Sequence, residues 1–209
     1  MKRYLVVTAL TMLVVLPLAA QAPKGWKVRA DRSTNATDPD AAGTIKFATS
    51  GSGFHATNPQ AAVFWNPANT ATGSYSLKGN FTLMKPSGHT NYYGLVFGGS
   101  ELEGASQNYT YFLVAQDGSW LVKRRNGEAT ENVVAKTPSD AVKKPDAAGQ
   151  STNGLEVRVL ADKLEFAVNG TVVGSAPKTG QAAKTDGIYG IRSNHLLDIE
   201  VDGLSAAKR

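Results

Sequence analysis

Between Asn153 and Ser175 the chain reads NGLEVRVLADKLEFAVNGTVVGS, and this stretch leaves few folds open. Leu155, Val157 and Val159 alternate with Glu156 and Arg158. Leu164, Phe166 and Val168 repeat the alternation after a turn at residues 161–163. Residues two apart on a strand share a face, so each run has one apolar and one polar side. Asn169-Gly170 then turns the chain into Thr171-Val172-Val173. Both central residues of a type I′ turn need positive φ, which Asn and Gly tolerate best. The pattern predicts consecutive antiparallel hairpins.

The same grammar runs through the rest of the chain. NYTYFLVAQDGSWLVKRRNGE reads as strand, Asp117-Gly118 turn, strand and Asn126-Gly127 turn. GSYSLKGNFTLMKP and NYYGLVFGG are further strands, with GTIKFAT, GFHAT and AVFWN shorter ones. No helical stripe is sustained after residue 22, and only Ser139–Lys143 suggests a helical turn. Roughly twelve or thirteen strands are expected at sandwich spacing. They must close into a barrel or stack as two sheets to hide their apolar faces. The uneven hairpin lengths favour an all-β, antiparallel two-sheet sandwich.

Residues 1–22 stand apart. Lys2 and Arg3 precede an apolar run from Leu5 to Leu16, then Pro17 and a small-residue end. This is the build of a secretory signal peptide, with cleavage expected after Ala20. The run is too short for a membrane span of about 20 residues. Residues 23–209 are expected to form one domain, secreted or periplasmic, without stable membrane insertion. There is no Cys. That excludes a disulfide scaffold, a Cys nucleophile and Cys-ligated zinc, so the apolar core alone must hold the fold. Removing Lys2 and Arg3 leaves 20 basic against 17 acidic side chains, a balance too even for a nucleic-acid binder.

Several segments resemble the concanavalin A-like lectin/glucanase superfamily, which includes laminin G-like domains. LEVRVLADKLEFAVNGTVVG is similar to a hairpin common there. YYGLVFGG with YTYFLVAQDGSWLVKRRNG resembles its central strands, and GIYGIRSNHLLDIEVDGL its closing pair. The likeness runs over most of Tyr75 to Leu204. It implies a concanavalin A-like jelly roll, in a superfamily that spans glycosidases, lyases, lectins and adhesive modules. Secreted bacterial members include family-16-glycosidase-like and 3-keto-disaccharide-hydrolase-like domains. The family-16 pattern E-x-D-x-x-E is not found.

Its nearest imitation is Asp198-x-Glu200-x-Asp202. Leu197, Ile199 and Val201 occupy the opposite face, as on any half-solvated strand. No catalytic residue is therefore assigned. His55, His89 and His195 are far apart in sequence, without metal-ligand spacing, and read as isolated. Asp31, Asp38 and Asp40 lie in an oxygen-rich loop that lacks the pattern of a calcium site. No phosphate loop, nucleotide fingerprint or serine elbow is present, so neither cofactor nor metal is expected. Lys123-Arg124-Arg125 reads as an exposed strand end.

One group stands above this background. Arg192, Asn194 and His195 follow an apolar strand, and His89 and Tyr92 precede another. Planar polar groups at strand ends suit sugar hydroxyls, and Trp65 offers a face for a sugar ring. These six are the candidate ligand-binding residues. The function expected is a non-catalytic module that binds carbohydrate or cell-envelope glycan. Two alternatives stand beside it: a glycan-degrading enzyme of the 3-keto-disaccharide-hydrolase-like kind, and a protein-interaction module without a small ligand.

Overall fold

The computed structural model describes residues 23–33 and 35–209, so the expected signal peptide lies outside the described residues. Two antiparallel sheets of seven strands each stack face to face. In spatial order the first sheet holds β1 (Lys27–Asp31), β4 (Ala61–Ala71), β13 (Gly187–Ser193), β6 (Tyr92–Ser100), β7 (Asn108–Ala115), β8 (Ser119–Asn126) and β9 (Ala129–Pro138). The second holds β12 (Thr171–Pro177), β11 (Lys163–Val168), β10 (Ser151–Val159), β5 (Tyr75–Lys85), β14 (Leu197–Lys208), β3 (Gly53–Asn58) and β2 (Lys46–Ser50). The antiparallel two-sheet sandwich expected from the alternation, and the jelly roll implied by the resemblance, are the observed fold. Among the described residues no helix is long and apolar enough to cross a membrane.

The hairpins read from sequence pair in the register their apolar positions demand. Leu155 opposes Val168, Val157 opposes Phe166, and Val159 opposes Leu164. All six are buried between the sheets. Asn169 and Gly170 take φ of 51° and 83°, the left-handed pair of a type I′ turn. Phe166 meets Phe112 of the facing sheet at 5.2 Å between ring centroids and Trp120 at 6.0 Å. Fully burying side chains of this size is worth about 1.5–3 kcal/mol each.

Two expectations are corrected. Residues 139–142 form a single turn, closed by Val142 N donating to the Ser139 carbonyl at 3.1 Å, and the one 3-10 segment among the described residues is Gly180–Ala183. Val142 leaves that turn to plug the core. Arg124 is buried, not exposed, at 1 % of its surface. Its Nη1 donates to Thr110 Oγ1 at 3.0 Å and to the Lys184 carbonyl at 3.1 Å. The alternation of β8 places Arg124 opposite Lys123 and Arg125, under the loop that follows the 3-10 turn.

The first sheet also has an apolar cluster on its outer face, built from Val63, Trp65, Val96, Tyr109, Tyr111, Leu113 and Leu121 and covered by Leu102. β1 and β7 have three strands between them in this sheet, or roughly 19 Å across a flat one. Yet the Tyr109 hydroxyl donates to Asp31 Oδ2 at 3.2 Å. The sheet curls toward this side, and its outer face is concave.

Candidate functional site

A cleft of about 330 Å³ opens at the concave face, where β1, the 32–45 loop and the turn between β13 and β14 meet. Arg192 forms its floor. The strand register is irregular between Ile188 and Gly190, where a Cβ on Gly190 would lie 2.2 Å from the Phe64 carbonyl oxygen. After this kink Ile191 points into the core and Arg192 into the cleft. Its guanidinium pairs with Asp31, donates to the Tyr109 hydroxyl at 2.8 Å and sits 5.3 Å from the centroid of the Tyr111 ring.

Burial alone would raise the Asp31 pKa, but the Arg192 charge and hydrogen bond outweigh it and hold the carboxyl below its ordinary value. Burial also raises the Tyr109 phenol, so it stays protonated and donates to Asp31. Among the described residues three buried polar atoms around this network have no hydrogen-bond partner: Arg29 Nη1 and Asp31 Oδ1, which face each other at 3.9 Å, and Arg192 Nε.

β13 ends at Ser193, and the chain turns through His195 into β14 with Leu196 at φ 58°. A bulky side chain rarely takes the left-handed region. Asn194 N donates to the Tyr92 carbonyl at 2.8 Å, which ties the turn to β6. His195 is thereby held inward, with its Nδ1 3.1 Å from Asp40 Oδ1 and its Nε2 3.1 Å from Asp38 Oδ1. His89, on the loop before β6, places its Nε2 3.1 Å from His195 Nε2 and 3.0 Å from Asp38 Oδ1. Asn91 Nδ2 lies 3.1 Å from the same nitrogen of His89.

Three of the six sequence candidates, Arg192, Asn194 and His195, line the cleft. His89 joins them through His195 and Asp38. Tyr92 stands behind, its hydroxyl 3.5 Å from Ser119 Oγ. Trp65 is 2 % exposed within the outer-face cluster, so it has no free face for a sugar ring. The reading of isolated histidines is corrected: His89 and His195 meet, and His55 alone goes elsewhere, to Asp198. The three aspartates read as loop residues also line the cleft. Asp31 goes to Arg192, Asp38 to both histidines, and Asp40 to His195 and, through Oδ2, to the Ser33 amide at 2.8 Å.

With this geometry in place, likeness to solved structures becomes informative. A carbohydrate-binding module, CBM66 from Bacillus subtilis, superposes with a TM-score of 0.63 at 10 % identity, over 88 % of this chain and 96 % of that one. The shared architecture is a two-sheet β-sandwich. A second Bacillus subtilis protein, of unknown function with a galectin-like fold, gives 0.57 at 13 % identity over 89 % and 91 % of the two chains. A carbohydrate recognition domain of Emp46p gives 0.55 at 12 % identity over 87 % of each. No family model and no curated protein matches the sequence. At such identities the likeness establishes the architecture and leaves the chemistry of the cleft to its own residues.

The acidic row raised by the sequence lies on the other sheet. Leu197, Ile199 and Val201 are buried in the core, and Asp198, Glu200 and Asp202 face outward. Each has its own local partner: His55, Ser50 at 3.0 Å and Ser52 at 2.8 Å, respectively.

Proposed function

We propose that the protein binds carbohydrate non-catalytically, in the cleft between β1, the 32–45 loop and the β13–β14 turn. The observation that carries this reading is the set of unpartnered buried atoms there, Arg29 Nη1, Asp31 Oδ1 and Arg192 Nε. Buried polar groups are nearly always hydrogen-bonded, so two donors and an acceptor on residues that line one cleft suit a ligand rich in hydroxyls. The charges agree. Four arginines (Arg29, Arg32, Arg125, Arg192) face four carboxylates (Asp31, Asp38, Asp40, Glu128), so the cleft is polar with no net sign. That suits a neutral sugar better than a polyanion. Two of the similar solved structures are a carbohydrate-binding module and a carbohydrate recognition domain, which supports the same class of ligand.

The non-catalytic part rests on the acids. Asp31 is held ionised by Arg192, which suits an acceptor and not a general acid. The Asp198 row points away from the cleft. With the expected signal peptide, the setting is the periplasm or the exterior, where the ligand would be an envelope or free glycan. N-terminal sequencing of the protein recovered from its native compartment tests export, and an intact Met1 on a cytoplasmic product refutes it.

Glycan-array screening followed by calorimetric titration tests the binding. Affinity between millimolar and micromolar is expected, or about −4 to −8 kcal/mol. Arg29→Ala and Arg192→Ala should each weaken it by ~1–3 kcal/mol, the cost of an unmatched buried partner. A glycan bound equally well by both variants refutes the placement. Failure of any glycan to bind refutes the function and favours a protein-interaction module.

A further inference from the structure

In the wall of the proposed sugar cleft, which Asp38 and His195 line, His89 Nε2, His195 Nε2 and Asp38 Oδ1 form a nearly equilateral triangle, with sides of 3.1, 3.0 and 3.1 Å. Hydrogen bonds alone account poorly for it. An N–H aimed along one side of such a triangle lies about 60° off the next, and hydrogen bonds weaken steeply away from linearity. A cation accounts for all three sides together. Placed about 2.1 Å from each atom, it would see them at mutual angles of about 95°, given those sides. That is close to the ~90° of three ligands on one octahedral face and well short of the ~109° of a closed tetrahedral set.

The surroundings prepare both nitrogens as ligands. Asp40 Oδ1, 3.1 Å from His195 Nδ1, accepts that N–H and leaves the Nε2 lone pair directed at the triangle. Asp40 is itself anchored by the Ser33 amide at 2.8 Å. A carboxylate behind a ligating imidazole is the recurrent outer support of protein metal centres. The Asn91 amide, buried and 3.1 Å from His89 Nε2, marks a lone pair on that nitrogen too. The His195 side chain is 6 % exposed, while those of Asp38 and His89 are 45 % and 44 % exposed. One ligand is thus fixed in the protein and two stand at the mouth, which leaves a way in for an ion and an open side.

We propose that Asp38, His89 and His195 bind a divalent first-row transition ion, with Asp40 positioning His195. Two imidazoles and one carboxylate suit zinc, manganese, cobalt or iron, whereas calcium and magnesium prefer all-oxygen sets. The site does not depend on the sugar reading, because the ligands converge whether or not a glycan binds.

The test is calorimetric titration of the EDTA-treated, chelator-free full chain with Zn²⁺, Mn²⁺ and Co²⁺, with Ca²⁺ and Mg²⁺ as controls. One saturable site per chain at micromolar affinity or tighter is expected for at least one transition ion, with an upward shift in melting temperature. His89→Ala and Asp38→Asn, both at half-exposed positions, should lower that affinity more than 10-fold with the circular dichroism unchanged. Asp40→Asn should lower it by about 10- to 100-fold, the usual effect of losing an outer support. His55→Ala should leave it unaltered. Absence of a saturable site, equal binding by His89→Ala, or tighter binding of Ca²⁺ than of every transition ion would overturn the proposal.

Discussion

Arg124 holds a full charge inside the sandwich, and among the described residues no carboxylate pairs with it. Burial pulls its pKa down to about 10, so the charge survives at neutral pH but is stabilised only by carbonyls and a hydroxyl. All three are reached from one nitrogen, Nη1, which lies one bond beyond the reach of a lysine Nζ, and an ammonium is the more strongly hydrated ion to bury. Arg124→Lys should therefore cost ~1–3 kcal/mol in urea unfolding. Lys123→Ala, one residue away and half-buried on the other face, should stay within ~0.5 kcal/mol. Asp31 gives a pH signature. Its folded pKa is depressed below the ordinary 3.8, so its stabilisation is present above about pH 4 and fades as pH falls through the folded value. The parent protein should lose stability from near pH 4 downward. Asp31→Asn should be less stable at pH 7 by ~3–5 kcal/mol, since it strands the buried Arg192, and should show a flatter acid limb. Denaturant melts at pH 7, 4 and 3 measure both. Neither role is visible in the sequence. A Lys-Arg-Arg run looks solvated, and Asp31 lies 161 residues from Arg192.

Among the elements, the β11–β12 hairpin shows where reading a pattern succeeds and where it stops. Its strands, register and turn type follow from alternation and Asn-Gly, because both are local. Its second task is not local. Asn169 Oδ1 accepts from Gly154 N at 2.9 Å, and its Nδ2 donates to the Ala141 carbonyl at 2.8 Å and to Asn153 Oδ1 at 3.0 Å. Buried Asn153 in turn receives Lys143 N at 2.8 Å. The turn thus clamps the loop whose Val142 plugs the core. Turn chemistry alone makes Asn169→Gly nearly neutral, since glycine takes positive φ freely. We predict instead a loss of ~1–3 kcal/mol by denaturant melt, the worth of those side-chain bonds. The candidate site divides in the same way. Arg192, Asn194 and His195 were legible because an apolar strand ends in planar polar groups. Asp38 and Asp40 were not legible as partners, because only the folded sheets bring the 32–45 loop over the β13–β14 turn.

For the molecule as a whole, stability rests on one inter-sheet core without covalent staples, so reductant should leave the melting temperature unchanged in differential scanning calorimetry. The strand order adds a second consequence. β13 lies between β4 and β6 in the first sheet, and β14 lies between β5 and β3 in the second. The two strands that come last in sequence are interior to both sheets. Everything before them is two split half-sheets with open, hydrogen-bonding edges. A fragment spanning residues 23–186 should therefore show no cooperative melt and be digested rapidly by protease. This makes folding wait for β13 and β14. Neither sheet can lock until those strands are available, and the chain remains a pliable thread until then. A holdase that masks strand edges should therefore delay folding most when it engages before β13 appears, and hardly at all once β14 has inserted.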